Sequence, residues 1–350
     1  MIVTRTPFRV TLGGGGTDLP SFYEKHGGRV LALGIDKYMY VALNVPFADR
    51  KVRLHYTSSE TVERTSELRH ELAREALLLH EIHDGVEVSS LADLPAGTGL
   101  GSSSCYLVGL LAAIRAYLGR PATVAELAGE ACRIELDILG KPIGKQDQFM
   151  AAAGGLTEIV IDRDGTVGIE RIGLPGYAVS ELVSKTHLYY TNVSRATIEI
   201  LAEEKRALES GTGDVEGALC EILEIGARIG VEVRRQNFDA FGTLMHEHWL
   251  AKKRLSGRVT VPAMEELYDT VRARFGVLGG KVAGAGGGGF LMLYCPSDGY
   301  ALTEFMAERG MARLTYDAEF EGSRVLLNAL GGRSLHYHLA RGPLTESPPA

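Results

Sequence analysis

The sequence predicts a mixed α+β fold, and three observations carry that expectation. Up to residue 172, short runs rich in β-branched and aromatic residues alternate with stretches of helical apolar spacing. Residues 195–276 read as almost wholly helical, after which strands and one further helix close the chain. In between lies Pro95-Ala-Gly-Thr-Gly-Leu-Gly-Ser-Ser-Ser104, a glycine-rich turn that runs directly into an amphipathic helix. At 350 residues, 45% of them hydrophobic, the chain can bury the core of one large or two ordinary domains.

In order, residues 2–12 read as one or two strands broken at Pro7. Strands follow at 29–35, 38–45 and 51–56, and Leu68, Leu72, Leu79 and Ile82 share a face of a helix over 66–82. Residues 86–91 form the strand that feeds the glycine turn. In the helix after the turn, Leu107, Leu110, Leu111, Ile114 and Leu118 recur on one face. A second helix over 123–139 is capped by Thr123. Residues 156–161 and 166–172 pair as a hairpin across Asp162-Arg-Asp-Gly165, and 186–191 is a further strand. The segment Gly173–Ser184 marks a boundary between halves. About four helices fill 195–276, broken at Gly211–Asp214 and Val259–Pro262. Strands at 278–283 and 290–294, a helix at 297–309 and short strands near 312–316 and 323–327 complete the fold, with a disordered tail at 341–350.

The net charge of −7 excludes the basic footprint of a nucleic-acid binder. The N-terminus lacks an apolar signal region, and no apolar run reaches the ~18–20 residues of a membrane span. A cytoplasmic protein without nucleic-acid or membrane partners is expected. Cys105, Cys132, Cys220 and Cys295 lack metal-ligand spacing and read as free thiols. Glycine is abundant at 43 residues, and clusters at 13–16, 97–101 and 284–289 point to backbone placed close to ligands.

A glycine turn into a helix start leaves several N–H groups unpaired and aligned, and the helix dipole adds about half a positive charge there. Such a place binds anions, most often phosphate. The serines could cap the helix or reach a metal ion; a plain tight turn with a serine N-cap is the alternative. Glu135 falls within the apolar stripe of the second helix, so it needs a partner arginine or a metal ion. Asp147 lies in the first turn of a helix begun by Gly144-Lys-Gln-Asp-Gln-Phe149, as a reactive acid or as a helix cap. In a helix over 238–255, His248 and Lys252 share a face with Phe241, Met245 and Leu255. A cation there either meets an anion or snorkels to water. Gly284-x-Gly-x-x-Gly289 matches the dinucleotide fingerprint by letters, but Phe290–Tyr294 after it is a strand where that fingerprint needs a helix. Walker A and protein-kinase motifs are absent.

Pro95 to Ser104 resembles the second motif of the GHMP small-molecule kinases, which include galactokinase and mevalonate kinase. Thr6-Pro-Phe-Arg-Val10 through Thr17-Asp18 resembles their first motif, and Lys281-Val-Ala-Gly-Ala-Gly-Gly-Gly-Gly289 their third. Gly144 to Phe149 resembles the segment holding the catalytic aspartate in the galactokinase branch. Within the family, Gly14-Gly-Gly-Thr-Asp-Leu-Pro20, Gly-Lys-Gln-Asp-Gln and His246-Glu-His-Trp-Leu-Ala-Lys252 resemble the D-glycero-D-manno-heptose 7-phosphate 1-kinases. Fucokinase domains look similar in the same places.

The resemblance implies a two-domain α+β fold, with a ribosomal-S5-like N-terminal half (1–180), a ferredoxin-like C-terminal half (181–340) and the active site in the cleft between. It implies that the amides of Gly97, Gly99, Leu100, Gly101, Ser102, Ser103 and Ser104, entered from Pro95, hold ATP phosphates. Ser103 or Ser104 and Glu135 would ligate Mg2+. Asp147 would accept or orient the proton of a sugar hydroxyl, with Arg9 beside it; a surface ion pair is the alternative for Arg9. Gly14, Gly15, Gly16, Thr17 and Asp18, with Gly286 and Gly287, would face the sugar. Galactokinases carry Gly-Glu-His-Thr-Asp in the first motif; here the acid and the histidine are glycine, which leaves room for a phosphate. Lys252 is the first candidate to hold it, ahead of Arg195, Lys253 and Lys37. Tyr56, Ser58 and Ser59 are candidates for the adenine pocket. The expected partners are a sugar phosphate and ATP, with a homodimer left open. The expected activity is phosphorylation of the sugar's C1 hydroxyl; other sugar-1-kinases and a non-catalytic sensor are the alternatives.

Overall fold

The computed structural model describes residues 1–193, 197–211, 213–256, 259–297 and 299–330, with backbone alone at 197, 198 and 209. Arg195 and the expected 341–350 tail lie outside them.

The chain opens with β1 (Ile2–Gly13), a single strand. Pro7 does not break it: a register shift between Pro7 and Phe8 accommodates the irregularity. Pro20 starts the short α1 (Pro20–His26), which sequence reading passed over. β2 (Gly28–Asn44) joins the two strands expected there into one of 17 residues. That length lets it pair with β1 along one edge and with two strands in succession along the other. β3 (Val52–His55) and β4 (Ser59–Val62) form an edge hairpin. The expected helix 66–82 shortens to α2 (Glu71–Leu79), and β5 (Glu87–Ala92) leads to the glycine turn.

α3 (Ser102–Tyr117) packs on β1 and β2 and is buried on nearly every side, including Leu107, Leu110, Leu111 and Ile114. α4 (Val124–Cys132) starts with a capping box in which Thr123 and Glu126 exchange bonds. The helix predicted to reach 139 ends there, and a π-helical turn over Arg133–Ile138 takes its place. α5 (Gln146–Ala153) follows, then the hairpin of β6 (Leu156–Ile161) and β7 (Val167–Arg171). α6 (Gly176–Lys185) occupies the stretch read as a boundary, so the expected division at 180/181 falls inside a helix.

The second half contains β8 (Thr186–Tyr190) and the four expected helices: α7 (Thr197–Ser210), α8 (Val215–Arg234), α9 (Phe238–Lys252) and α10 (Pro262–Phe275). β9 (Gly279–Val282), β10 (Phe290–Tyr294), α11 (Tyr300–Ala307), β11 (Arg313–Leu314) and β12 (Arg324–Asn328) end it.

The first sheet runs β12-β1-β2-β5-β3-β4, with β6 also on β2 and β7 on β6. The second is antiparallel and runs β11-β8-β10-β9. The two short strands after α11 therefore part company, and β12 returns to the sheet of the N-terminal half. α8 and α9 tie the halves together. Ile225, Ile229 and Val233 of α8 enter the first core, whereas Val215, Leu219 and Ile222 enter the second. α9 divides likewise, with Phe241 and Met245 on one side and Trp249 on the other. No described helix is long and apolar enough to cross a membrane.

Candidate active site

The glycine turn takes the shape its sequence demands. Gly97, Gly99 and Gly101 adopt φ of +75°, +79° and +88°, a region that side chains disfavour. Gly101 is the N-cap of α3 and offers no side-chain bond, so the serine N-cap alternative is not built. The first amides of α3 are left for a ligand. Ser102, Ser103 and Ser104 line the cleft beside Pro95, Gly97, Gly99 and Gly101. Leu100 is fully buried and is not part of the cleft wall; its carbonyl accepts from the Arg9 N–H.

The third glycine cluster has a different task from the one expected. A Cβ on Gly284 would lie 2.7 Å from the Gly99 Cα, and one on Gly289 2.3 Å from the Thr98 carbonyl oxygen. These glycines let the C-terminal half lie directly against the phosphate loop. Gly286 and Gly287 turn to Val259, whose carbonyl accepts from the Gly287 N–H at 2.8 Å, and neither faces the cleft. Gly284 and Ala285 do.

Arg9 and Asp147 meet at the centre. Arg9 is 3% exposed, which rules out a surface ion pair. Its Nε and NH2 both donate to Asp147 Oδ1, at 2.7 and 2.6 Å, and its NH1 donates to the Gly99 carbonyl at 2.6 Å. One buried guanidinium thus locks the acid to the phosphate loop. Asp147 Oδ2 lies toward Gly101, 3.5 Å from where a Cβ there would stand. The acid does not cap its own helix. Asp18 of the first-motif loop does so, accepting from the Gln146 N–H at 3.0 Å and from Gln146 Nε2 at 3.2 Å. Burial raises the Asp18 pKa, opposed by the Gln146 backbone N–H.

The first-motif loop splits by role. Gly15, Gly16 and Asp18 line the cleft, but Gly14 and Thr17 stand behind it. The Thr17 hydroxyl donates to the Gly14 and Arg29 carbonyls. Gly14 donates its N–H to His248 Nε2 at 3.2 Å, and a Cβ there would sit 1.8 Å from the Arg29 oxygen.

Glu135, on the π-helical turn, is fully buried. Its Oε2 accepts from the Ser104 hydroxyl at 3.0 Å and from Gln148 Nε2 at 2.6 Å, while Oε1 has no partner, arginine or other, among the described residues. Burial raises its pKa. An orphaned carboxylate oxygen beside a serine at the phosphate loop fits a hard cation that takes few protein oxygens and keeps several waters. Among the described residues no cluster of three His, Cys, Asp or Glu side chains could hold a metal unaided.

Two lysines line the cleft beside the third glycine cluster. Lys252 is buried, not snorkelling, and its Nζ donates to the Val282 and Gly284 carbonyls at 2.9 and 2.5 Å. Burial pushes its ammonium down to about 8, against the pull of Glu204. Lys281, unassigned by sequence reasoning, is also buried; its Nζ reaches the Leu12 carbonyl at 3.3 Å. Burial together with Lys252 and Arg9 drives its pKa well down. His248 lines the same cleft. Of the weaker candidates, Lys253 pairs with Glu265 and Lys37 with Asp36, and neither lines the cleft.

The cleft has a volume of about 880 Å³, room for a nucleotide and a small substrate together. Aromatic rings also line it: Tyr56 stands edge-on to His70, which in turn contacts Tyr106. Ser58 and Ser59 are outside the wall; Thr57, His70, Leu72 and Tyr106 take part instead. Cys105, at the foot of the loop, is buried with its thiol pKa pushed up.

A phosphate loop joined through arginine to an acid, in a cleft between two α+β halves, defines a class. Residues 65–155 match the GHMP kinases N terminal domain and residues 231–310 the GHMP kinases C terminal domain. The chain carries the N- and C-terminal domains of the GHMP kinases, and its fold is theirs. Among curated proteins it is similar to D-glycero-alpha-D-manno-heptose 7-phosphate kinase of Campylobacter jejuni, at 28% identity over 84% of this chain and 89% of that one. It is 27% identical to the L-fucokinase/L-fucose-1-P guanylyltransferase of Bacteroides fragilis, over 83% of this chain but 34% of that protein. Among solved structures, one titled as a D-glycero-D-manno-heptose 1-phosphate kinase from Bacteriodes thetaiotaomicron superposes with a TM-score of 0.76. It is 21% identical over 94% of this chain and 99% of that one.

Proposed function

We propose that this GHMP kinase transfers the γ-phosphoryl group of ATP to the anomeric C1 hydroxyl of D-glycero-D-manno-heptose 7-phosphate. The product is the 1,7-bisphosphate, an intermediate toward nucleotide-activated heptose for surface polysaccharide. The observation that carries the substrate reading is the pair of buried lysines. Lys252 and Lys281 both line the cleft, and their ammonium nitrogens bond to the carbonyl oxygens of Val282, Gly284 and Leu12. Burial disfavours the charged form of both lysines, and no carboxylate among the described residues is hydrogen-bonded to either, so an incoming anion is what would hold them as cations. The glycine-rich first motif, with Gly15 and Gly16 on the wall, leaves that anion space.

In this reading the amides of the 97–104 segment cradle the ATP phosphates at the positive end of α3. Asp147 Oδ2 accepts the proton of the attacking hydroxyl, while Arg9 holds Oδ1 and keeps the acid in line with the loop. Arg9 also adds positive charge where the transferred group becomes more anionic. Glu135 and the hydroxyl of Ser103 or Ser104 would hold Mg2+, which when bound neutralises phosphate charge. Tyr56, His70 and Tyr106 suit the base.

The likeness to L-fucokinase favours a second reading, a sugar-1-kinase for an unphosphorylated sugar. Turnover of ATP with heptose 7-phosphate, fucose, mannose and galactose separates the two. A kcat/KM for heptose 7-phosphate at least about 100-fold above the rest, worth some 2.7 kcal/mol of recognition, supports the proposal. Equal turnover of free mannose overturns it.

A further inference from the structure

Glu204 plays no part in the chemistry above, yet it lines the same cleft as Lys252, Lys281 and His248. It projects from α7, whose Leu201 also lines the cleft. The side chain is 3% exposed, and Oε1 has no hydrogen-bond partner among the described residues. A carboxylate so placed would repel the very anion that the lysines invite, unless it carries a proton. A protonated carboxyl turns from an acceptor into a donor, which is what a phosphate oxygen requires.

We infer that Glu204 is a specificity-determining residue of the substrate-anion subsite, acting as a neutral carboxylic acid that donates its O–H to the bound phosphate beside Lys252 and Lys281. The inference rests on the anion reading of the two lysines. Its surroundings favour the neutral form. Burial, Glu203 on its own helix and Asp18 of the first-motif loop raise the Glu204 pKa to about 7, and Lys252 from α9 opposes them. Lys281, His248 and Arg9 line the same cleft. An incoming phosphate adds negative charge and pushes the acid further toward its protonated form. The empty cleft then has an ionisable carboxyl to offset its lysines, and the filled cleft has one more donor.

The test is kinetic and uses the full-length protein with heptose 7-phosphate and unphosphorylated heptose as paired probes, at pH 6.5 and 8.5. Glu204→Gln, which keeps the size and a donor, should leave KM for the phosphorylated sugar within about twofold at pH 6.5 and lower it at pH 8.5. Glu204→Leu removes the donor and should raise that KM by about tenfold at pH 6.5, the worth of one charge-assisted hydrogen bond, with the unphosphorylated sugar unchanged. If the glutamine variant does not fold, the leucine variant decides by sign. Should Glu204→Leu bind the phosphorylated sugar as well as or better than wild type, Glu204 is only a counter-ion to the lysines. If it weakens both sugars alike, Glu204 reads hydroxyls as a carboxylate. Either result overturns the inference. Lys252→Ala run alongside tells this failure from that of the anion reading. A selective rise in KM for the phosphorylated sugar keeps the anion subsite, and an equal change for both sugars removes it together with the role of Glu204.

Discussion

Replacing Gly284 by alanine should damage ATP use from a residue in the C-terminal half. Its φ of +64° costs an alanine roughly 1–2 kcal/mol in the left-handed region. The new methyl would also stand 2.7 Å from the Gly99 Cα and 3.1 Å from the Gly99 carbonyl oxygen. Backbone cannot swing aside as a side chain can, so the phosphate loop must retreat by roughly 0.7 Å to reach ordinary contact. A 1 Å misplacement of reacting groups costs about 100-fold, so kcat/KM for ATP should fall by about 10- to 100-fold. The melting temperature should drop by about 3 °C, in keeping with ~1–2 kcal/mol in a chain of this size. Steady-state kinetics with varied ATP, alongside thermal unfolding, reads both effects. Gly173→Ala is the control, because nothing lies within 4 Å of its would-be Cβ. If Gly284→Ala melts lower but keeps wild-type ATP kinetics, the glycine-to-glycine contact does not position the phosphate loop.

Asp147→Asn should lower kcat by about 10²–10⁴-fold while ATP binding by calorimetry changes little, since the loop amides are untouched; full turnover would relocate the base or revive a sensor role. Glu135→Gln should raise the Mg2+ concentration at which MgATP binding is half-maximal by about tenfold or more, measured without turnover; an unchanged Mg2+ requirement removes Glu135 from the metal. Burial pushes the Lys252 ammonium down from the ordinary lysine value to about 8, so KM for the phosphorylated sugar should climb above pH 8 and that for the unphosphorylated sugar should not. Between about pH 8 and 10.5 the unfolded chain holds the proton that folded Lys252 has lost, so this group makes stability increase with pH there. Chemical unfolding at pH 8 and 10 of wild type against Lys252→Ala checks the sign; the same slope in both contradicts it.

Much of this was legible from the residues because local physics spoke first. Three alternating glycines before Ser102–Ser104 demand a tight turn, and the turn forms with all three at positive φ. Glu135 in an apolar stripe signals a buried acid, and it is fully buried. What escaped depends on distant partners. Lys281 meets the carbonyl of Leu12, 269 residues away in sequence, and nothing in its own strand announces a binding residue. Glu204 reads as one more acid on a polar helix until the cleft wall is assembled. Gly14, Thr17, Gly286 and Gly287 belong to the right motifs, but the structure turns them to neighbouring backbone, Gly14 and Gly286 by close approach and Thr17 and Gly287 by hydrogen bonds, which a motif cannot distinguish from ligand contact. β12 pairs with β1 at the opposite end of the chain, a partner no local pattern names.

The most direct measurement is a crystal structure with a non-hydrolysable ATP analogue, Mg2+ and D-glycero-D-manno-heptose 7-phosphate. The account predicts the triphosphate on the amides of 97–104, the C1 hydroxyl at Asp147 Oδ2 and the 7-phosphate against Lys252 and Lys281. A 7-phosphate in solvent, or a triphosphate away from the glycine turn, would contradict it.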